Sequence, residues 1–207
     1  SKAISEKNNK LIQKYIRQST RYLLLLITPI MIIVATTADE LVTFFYTSSF
    51  VSAGAILSIL IISTTCFSIF RVFASIINGA GKPNIDLIIT TIGVFLSLTL
   101  TLIFVPIYGA IGAAISLLIT AILSVLLSLI YIYKRFRTVI ITAKSFIRIV
   151  ISSFIIYIMA TRTISSGWKL LIHYGVWLIT YFLILIILNE ITIKDLKLVK
   201  SILKKSS

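Results

Sequence analysis

Residues 78–105 read NGAGKPNIDLIITTIGVFLSLTLTLIFV, a turn-forming start that runs straight into the unbroken apolar stretch 85–105. The start has the look of a phosphate-binding loop, with glycines and Lys82 ahead of a helical segment. That loop requires G-x-x-x-x-G-K-[ST], a first glycine to turn the chain and a hydroxyl for magnesium. Counted back from Gly81, the first glycine position holds Ile76. The hydroxyl position holds Pro83, which also lacks an N–H. What remains is a turn carrying a cation. The stretch behind it has the length of a bilayer-crossing helix, which needs about 20 residues. A second apolar stretch, 53–77, ends just before the turn, so the turn joins two spans as a helical hairpin. Gly79 and Gly81 suit positive φ, Pro83 suits a first helical turn, and Asp86 suits the electropositive helix N-terminus. Lys82 reads as an anchor at the membrane surface.

Composition extends this to the whole chain. Of 207 residues 58% are hydrophobic and 13% charged, with a mean hydropathy of +1.09; soluble domains carry about 25% charged residues. In lipid every backbone polar group must be satisfied internally, which leaves helices or a closed barrel. Barrel strands alternate apolar and polar residues, whereas the runs here are continuous, so the chain is predicted to be an all-α polytopic membrane protein. Six spans are expected, at about 22–37, 53–77, 85–105, 109–133, 146–160 and 168–188. Pro29 interrupts the first and is expected to kink it. The first and fifth are short, so their flanks must contribute, with Lys144 and Arg148 snorkelling from the start of the fifth. A cleaved signal peptide is a poor fit for the first segment, whose polar leader is too long, although ATTA before Asp39 has small residues.

Residues 1–21 carry Lys2, Lys7, Lys10, Lys14, Arg17 and Arg21 beside an apolar side of Leu11, Ile12, Tyr15 and Ile16. They are expected to form a cytoplasmic amphipathic helix on the membrane surface. The tail 189–207 has Leu196, Val199 and Leu203 at helical spacing among lysines and is expected to do the same. The formal net charge of +14 would point to nucleic acid in a soluble protein, but here the basic residues lie between or beyond the apolar runs. With the N-terminal segment cytoplasmic, 17 of the 20 Lys and Arg fall on the cytoplasmic side, leaving Arg71 within a span and Arg162 and Lys169 outside. Both termini of a multi-pass cytoplasmic-membrane protein are therefore expected to face the cytoplasm.

Catalytic chemistry finds no support. There is one histidine, His173, within the sixth span, where bonding to a neighbouring helix is its expected role. G-x-S-x-G and H-E-x-x-H are absent. The six carboxylates show no pairing with a titratable group inside a span, and Asp39 and Glu40 read as a solvated outer loop. Cys66 sits alone in an apolar run. No catalytic residue, metal site or cofactor is expected.

Two helix faces stand out. Thr64, Ser68, Arg71, Ser75 and Asn78 recur at i, i+4, i+7, i+11 and i+14 on the second span. Asp86, Thr90, Gly93, Ser97 and Thr101 follow nearly the same spacing on the third. Helix–helix hydrogen bonding accounts for most of the Ser and Thr. It accounts less well for Arg71, because an arginine near the bilayer centre costs about 2.5–3.5 kcal/mol on insertion scales. Arg71 is either a snorkelling anchor or a cation lining a water-filled cavity, with Asp86 as its expected partner. Further on, VPIYGAIGAAIS (105–116) reads as a tight external hairpin in which Pro106 ends one helix, Gly109 turns the chain, and Gly112, Ala113 and Ser116 give the next helix a small face.

FYTSSFVSAGAILSIL (45–60), INGAGKPNIDL (77–87) and IGVFLSLTLTLIFVPIYGAIGAAISLLIT (92–120) together resemble the C-terminal half of prokaryotic polysaccharide-biosynthesis flippases. These belong to the multidrug/oligosaccharidyl-lipid/polysaccharide exporter superfamily. The most specific part is the Gly-Lys-Pro turn followed about 25 residues on by P-x-Y-G-x-x-G-A-A, a spacing taken from the sequence itself. The resemblance implies two related helix bundles enclosing a central cavity, which carries a lipid-linked oligosaccharide with a pyrophosphate head across the membrane by alternating access. This chain matches six helices, one half of such an exporter, and its start at Ser1 fits a fragment. Its partners would be membrane lipids, the lipid-linked substrate, and the missing N-terminal half or a second copy. Arg71 would meet the pyrophosphate, with Lys82 at the cytoplasmic mouth and the Ser and Thr stripes meeting sugar hydroxyls. Export of drugs or other small amphiphiles on the same fold, and a non-transporting anchor or assembly subunit, are the alternatives.

Overall fold

The computed structural model describes residues 9–46, 50–138, 141–163 and 167–191. Its helices are α1 (Asn9–Thr36), α2 (Ala38–Phe45), α3 (Ala53–Gly79), α4 (Pro83–Tyr108), α5 (Ala110–Phe136), α6 (Ala143–Arg162) and α7 (Trp168–Ile187). All except α2 contain a stretch long and apolar enough to cross a membrane.

The largest departure from expectation is at the N-terminus. Residues 9–21 are not a separate surface helix but the first turns of α1, which continues through Arg21 and Pro29 to Thr36. Nothing between Arg21 and Tyr22 breaks a helix, and Ile12 and Ile16 are buried against Phe73, Ile77 and Ile132, which draws the segment into the bundle. Residues 1–8 of that expected segment, and 192–207 of the expected tail helix, lie outside the described residues. Asp39 and Glu40 do not sit in a loop; they occupy the first turn of α2, where carboxylates favour the helix dipole.

The hairpin turns obey their local chemistry. Gly81 takes φ 74° and Pro83 opens α4, with Asp86 in its first turn. Gly79 instead remains the last residue of α3. Pro106 does not end α4, which runs on to Tyr108. A proline in the last turn forfeits one backbone bond and is tolerated there; Gly109, at φ 59°, makes the stop.

Helix α5 is the hub of one group. Both α3 and α4 pack on it far more than on each other. Its Gly112, Ser116, Thr120, Ser124 and Ser128 are buried at four-residue intervals. The Ser116, Thr120 and Ser124 hydroxyls each donate to the carbonyl four residues back, at 2.8–2.9 Å, so small polar side chains enter the interface already satisfied. Close approach is the result: a Cβ on Gly112 would lie 2.3 Å from Phe104 O of α4, and one on Gly93 would lie 3.2 Å from Ser124 Oγ. The second group is α6 with α7, whose Ile149, Ile156, Trp177, Tyr181 and Leu185 are buried with Leu25 and Ile33 of α1. Helix α1 thus serves both groups.

Gly112→Val places a branched side chain against backbone that has no room to move. Overpacking of this kind costs about 1–3 kcal/mol. Thermal unfolding in detergent should show that loss for Gly112→Val and little change for Ala110→Val at the exposed neighbouring position.

Candidate functional site

The stripe read on α3 is a surface. Thr64, Arg71, Ser75 and Asn78 are exposed and Ser68 is half-buried. The Thr64 hydroxyl donates to Ile61 O at 3.0 Å and that of Ser68 to Thr64 O at 2.8 Å, so both are held against their own helix. Arg71 forms no ion pair among the described residues and stands eight residues before Gly79, about 12 Å from that end of α3 at 1.5 Å per residue.

The expected Arg71–Asp86 pair does not form. Asn78 Nδ2 instead donates to Asp86 Oδ2 at 2.6 Å. The short turn brings the last residues of α3 beside the first turn of α4, and Arg71 lies two turns too far back. Asp86 Oδ1 is buried without a hydrogen-bond partner. Asn78, Asp86 and Thr90, with Pro83, Leu87 and Thr91, surround a cavity of about 340 Å³ at the hairpin. Lys82 is exposed at the turn itself.

Farther from the turn, the α4 stripe meets other partners. Thr90, Gly93 and Ser97 line a crevice of about 270 Å³ with Phe67 and Phe70 of α3 and Thr120 and Ser124 of α5. No residue of the α3 stripe lines this crevice, so the two sequence stripes share a cavity only at the hairpin, through Asn78, Asp86 and Thr90. His173 Nδ1 lies 2.7 Å from Lys169 O within its own helix, and its ring meets Trp177.

A cluster not anticipated from the sequence lies at the end where α1 and α6 begin and α7 ends. Helix α7 closes with Asn189 at φ 54°, its N–H donating to Ile186 O at 3.0 Å while Glu190 N–H donates to Leu185 O at 2.9 Å. This paired closure returns the chain toward the bundle. It delivers Glu190, 2% exposed, between two arginines. Arg21 Nε donates to Glu190 Oε1 at 2.7 Å and Arg148 Nη1 to Oε2 at 3.1 Å. Arg21 Nη2 also donates to Glu190 O, and Arg148 Nη1 to Asn189 O at 3.1 Å. Arg148 is therefore not the simple snorkelling anchor expected of it, and Glu190, expected at the start of the amphipathic surface tail, is buried instead. The available signal was Asn189 just past an apolar run, a helix-stop pattern; it marks the end of α7 but not the direction of Glu190. The triad also requires the first half of α1, the second turn of α6 and the end of α7 to meet, which no single segment announces.

Residues 1–103 match the MatE family. No curated protein matches the chain in sequence. A solved structure described as "Lipid II flippase MurJ, inward closed conformation" shares its fold with a TM-score of 0.73 and 21% identity, over 92% of this chain and 41% of that one. The chain thus spans about two fifths of the length of that flippase. The solved structure shares the multi-pass helical fold expected from the sequence, and the family match covers the first 103 of the 207 residues.

Glu190→Gln removes the charge and keeps the shape. Hydrogen bonds to charged groups contribute about 1.5–3 kcal/mol, so unfolding in detergent, followed through buried Trp177 on α7, should shift by that amount. The Arg148→Gln/Glu190→Gln cycle should be non-additive.

Proposed function

We propose, for a chain standing in the multidrug/oligosaccharidyl-lipid/polysaccharide exporter superfamily, that it supplies the C-terminal half of a flippase for a lipid-linked oligosaccharide. The observation that carries this is the exposed polar face of α3, with Arg71 in its midst and no counter-ion among the described residues. An arginine in such a face is costly in hydrocarbon, and a water-filled path or a facing helix bundle removes that cost. The other bundle would come from an N-terminal half or a second copy, consistent with a chain that covers 41% of the solved flippase. Alternating access then follows from one bundle rocking against the other about a site between them.

Arg71 is the residue for an anionic pyrophosphate head, since a guanidinium presents a fork of donors to phosphate oxygens. Lys82 and Asn78 stand toward the entrance, and Thr64, Ser68, Ser75, Thr90 and Ser97 offer hydroxyls to sugars along the way. The basic excess toward the end bearing both chain ends favours a cytoplasmic location for that end and a prokaryotic cytoplasmic membrane for the protein. That the solved relative is described as a flippase of lipid II supports a lipid-linked substrate here.

The test uses the protein at its native length. Arg71→Ala should lower delivery of the lipid-linked oligosaccharide to the outer leaflet by about 10–100-fold, the worth of a charge-assisted contact of roughly 1.5–3 kcal/mol. Arg71→Lys should keep part of it. Unchanged delivery by Arg71→Ala would remove Arg71 from the path. In a Cys66→Ala background, cysteines at 64, 68 and 90 should react with a membrane-impermeant thiol reagent; three dry positions would favour the anchor reading, and displacement by small amphiphilic drugs the drug-export reading.

A further inference from the structure

The triad around Glu190 is one wall of a larger feature. Lys14, Arg17 and Arg21 of α1, Arg148 of α6 and Glu190 line a polar cavity of about 390 Å³ at the end of the bundle where α1 and α6 begin. Four cations and one carboxylate face it. Along the same two helices, farther into the membrane, runs an apolar groove of about 380 Å³ lined by Leu24 and Ile32 of α1 and by Phe146, Val150, Phe154 and Tyr157 of α6. Those four α6 residues are exposed, so the groove opens sideways out of the described chain. From Arg21 to Ile32 the axial distance is about 16 Å at 1.5 Å per residue. That is about half the roughly 30 Å hydrocarbon thickness, the depth of one leaflet.

We propose that this composite site holds an anionic glycerophospholipid of the leaflet at that end, with its phosphate among Lys14, Arg17, Arg21 and Arg148 and an acyl chain along the α1–α6 groove. Charge complementarity selects the occupant. A zwitterionic lipid brings its own cation into a cavity already rich in them, and a free anion leaves the groove unfilled. Glu190 is a positioning residue, since its carboxylate binds Arg21 and Arg148 at fixed distances and keeps both turned into the cavity. The site is distinct from the α3 face and does not depend on the transport reading.

The experiment is native mass spectrometry of the protein at its native length, released from nanodiscs of phosphatidylcholine with one fifth phosphatidylglycerol. One phosphatidylglycerol should be retained in preference to phosphatidylcholine. Lys14→Gln with Arg17→Gln should weaken retention about 25-fold, from about fivefold per surface cation. Lys134→Gln, which removes a cation from the last turn of α5 outside the cavity, should leave it unchanged. Val150→Trp should fill the groove and weaken retention while the cavity stays intact. Equal retention of the two lipids, or an equal loss with Lys134→Gln, would overturn the proposal. So would thermal stabilisation by inorganic phosphate alone equal to that by phosphatidylglycerol. Displacement by a polyprenyl diphosphate at lower concentration than by phosphatidylglycerol would make the cavity a substrate site instead.

Discussion

The rest of the bundle depends on helix α1 being shared by two helix groups. Its N-terminal part packs through Ile12 and Ile16 on α3 and α5, and its later part through Leu25 and Ile33 on α6 and α7. Lipid tails are as apolar as these side chains, so burying them against one another gains little of what it would in water. Position is therefore set by close packing and by polar pairs. Helix α1 makes such pairs at both ends: Gln13 Nε2 donates to Phe136 O at 2.9 Å, Arg17 Nε to Thr138 Oγ1 at 3.2 Å, and Arg21 to Glu190. At its far end the Thr37 and Tyr174 hydroxyls meet at 2.5 Å. Both groups are thereby indexed to one helix.

The arginines divide accordingly. Arg21 and Arg148 are committed to Glu190, and together they tie α1 and α6 to the residues just past the end of α7. Arg71 is committed to nothing among the described residues and lies on a face the bundle leaves open. A cation is retained in an apolar helix when its surroundings compensate it. For the first two, Glu190 supplies part of that compensation; for Arg71, none of the described residues does.

The helix–helix contacts show why the same residue types serve both. On α5, Ser and Thr are buried with their hydroxyls bonded to their own backbone, which lets α3 and α4 approach closely. On α3, Thr64 and Ser68 bond their own helix too, yet face outward. A four-residue spacing of small polar residues announces a helix face; it does not announce what that face meets.

The sequence by itself determined the parts governed by local physics. Long apolar runs had to be helices, because hydrocarbon leaves backbone groups no other partner. Gly81, Pro83 and Gly109 had to mark the turns, because their backbone conformations are set within one or two residues. The resemblance to an exporter superfamily rested on the same turns, since they recur in the sequence as short local patterns. The tertiary structure alone decided that residues 9–21 join α1, that Asp86 meets Asn78 rather than Arg71, that the two polar stripes share a cavity only at the hairpin, and that Glu190 lies between Arg21 and Arg148. Each of these depends on how helices distant in sequence rotate and abut, and helical spacing gives a residue's face without giving the neighbour across from it.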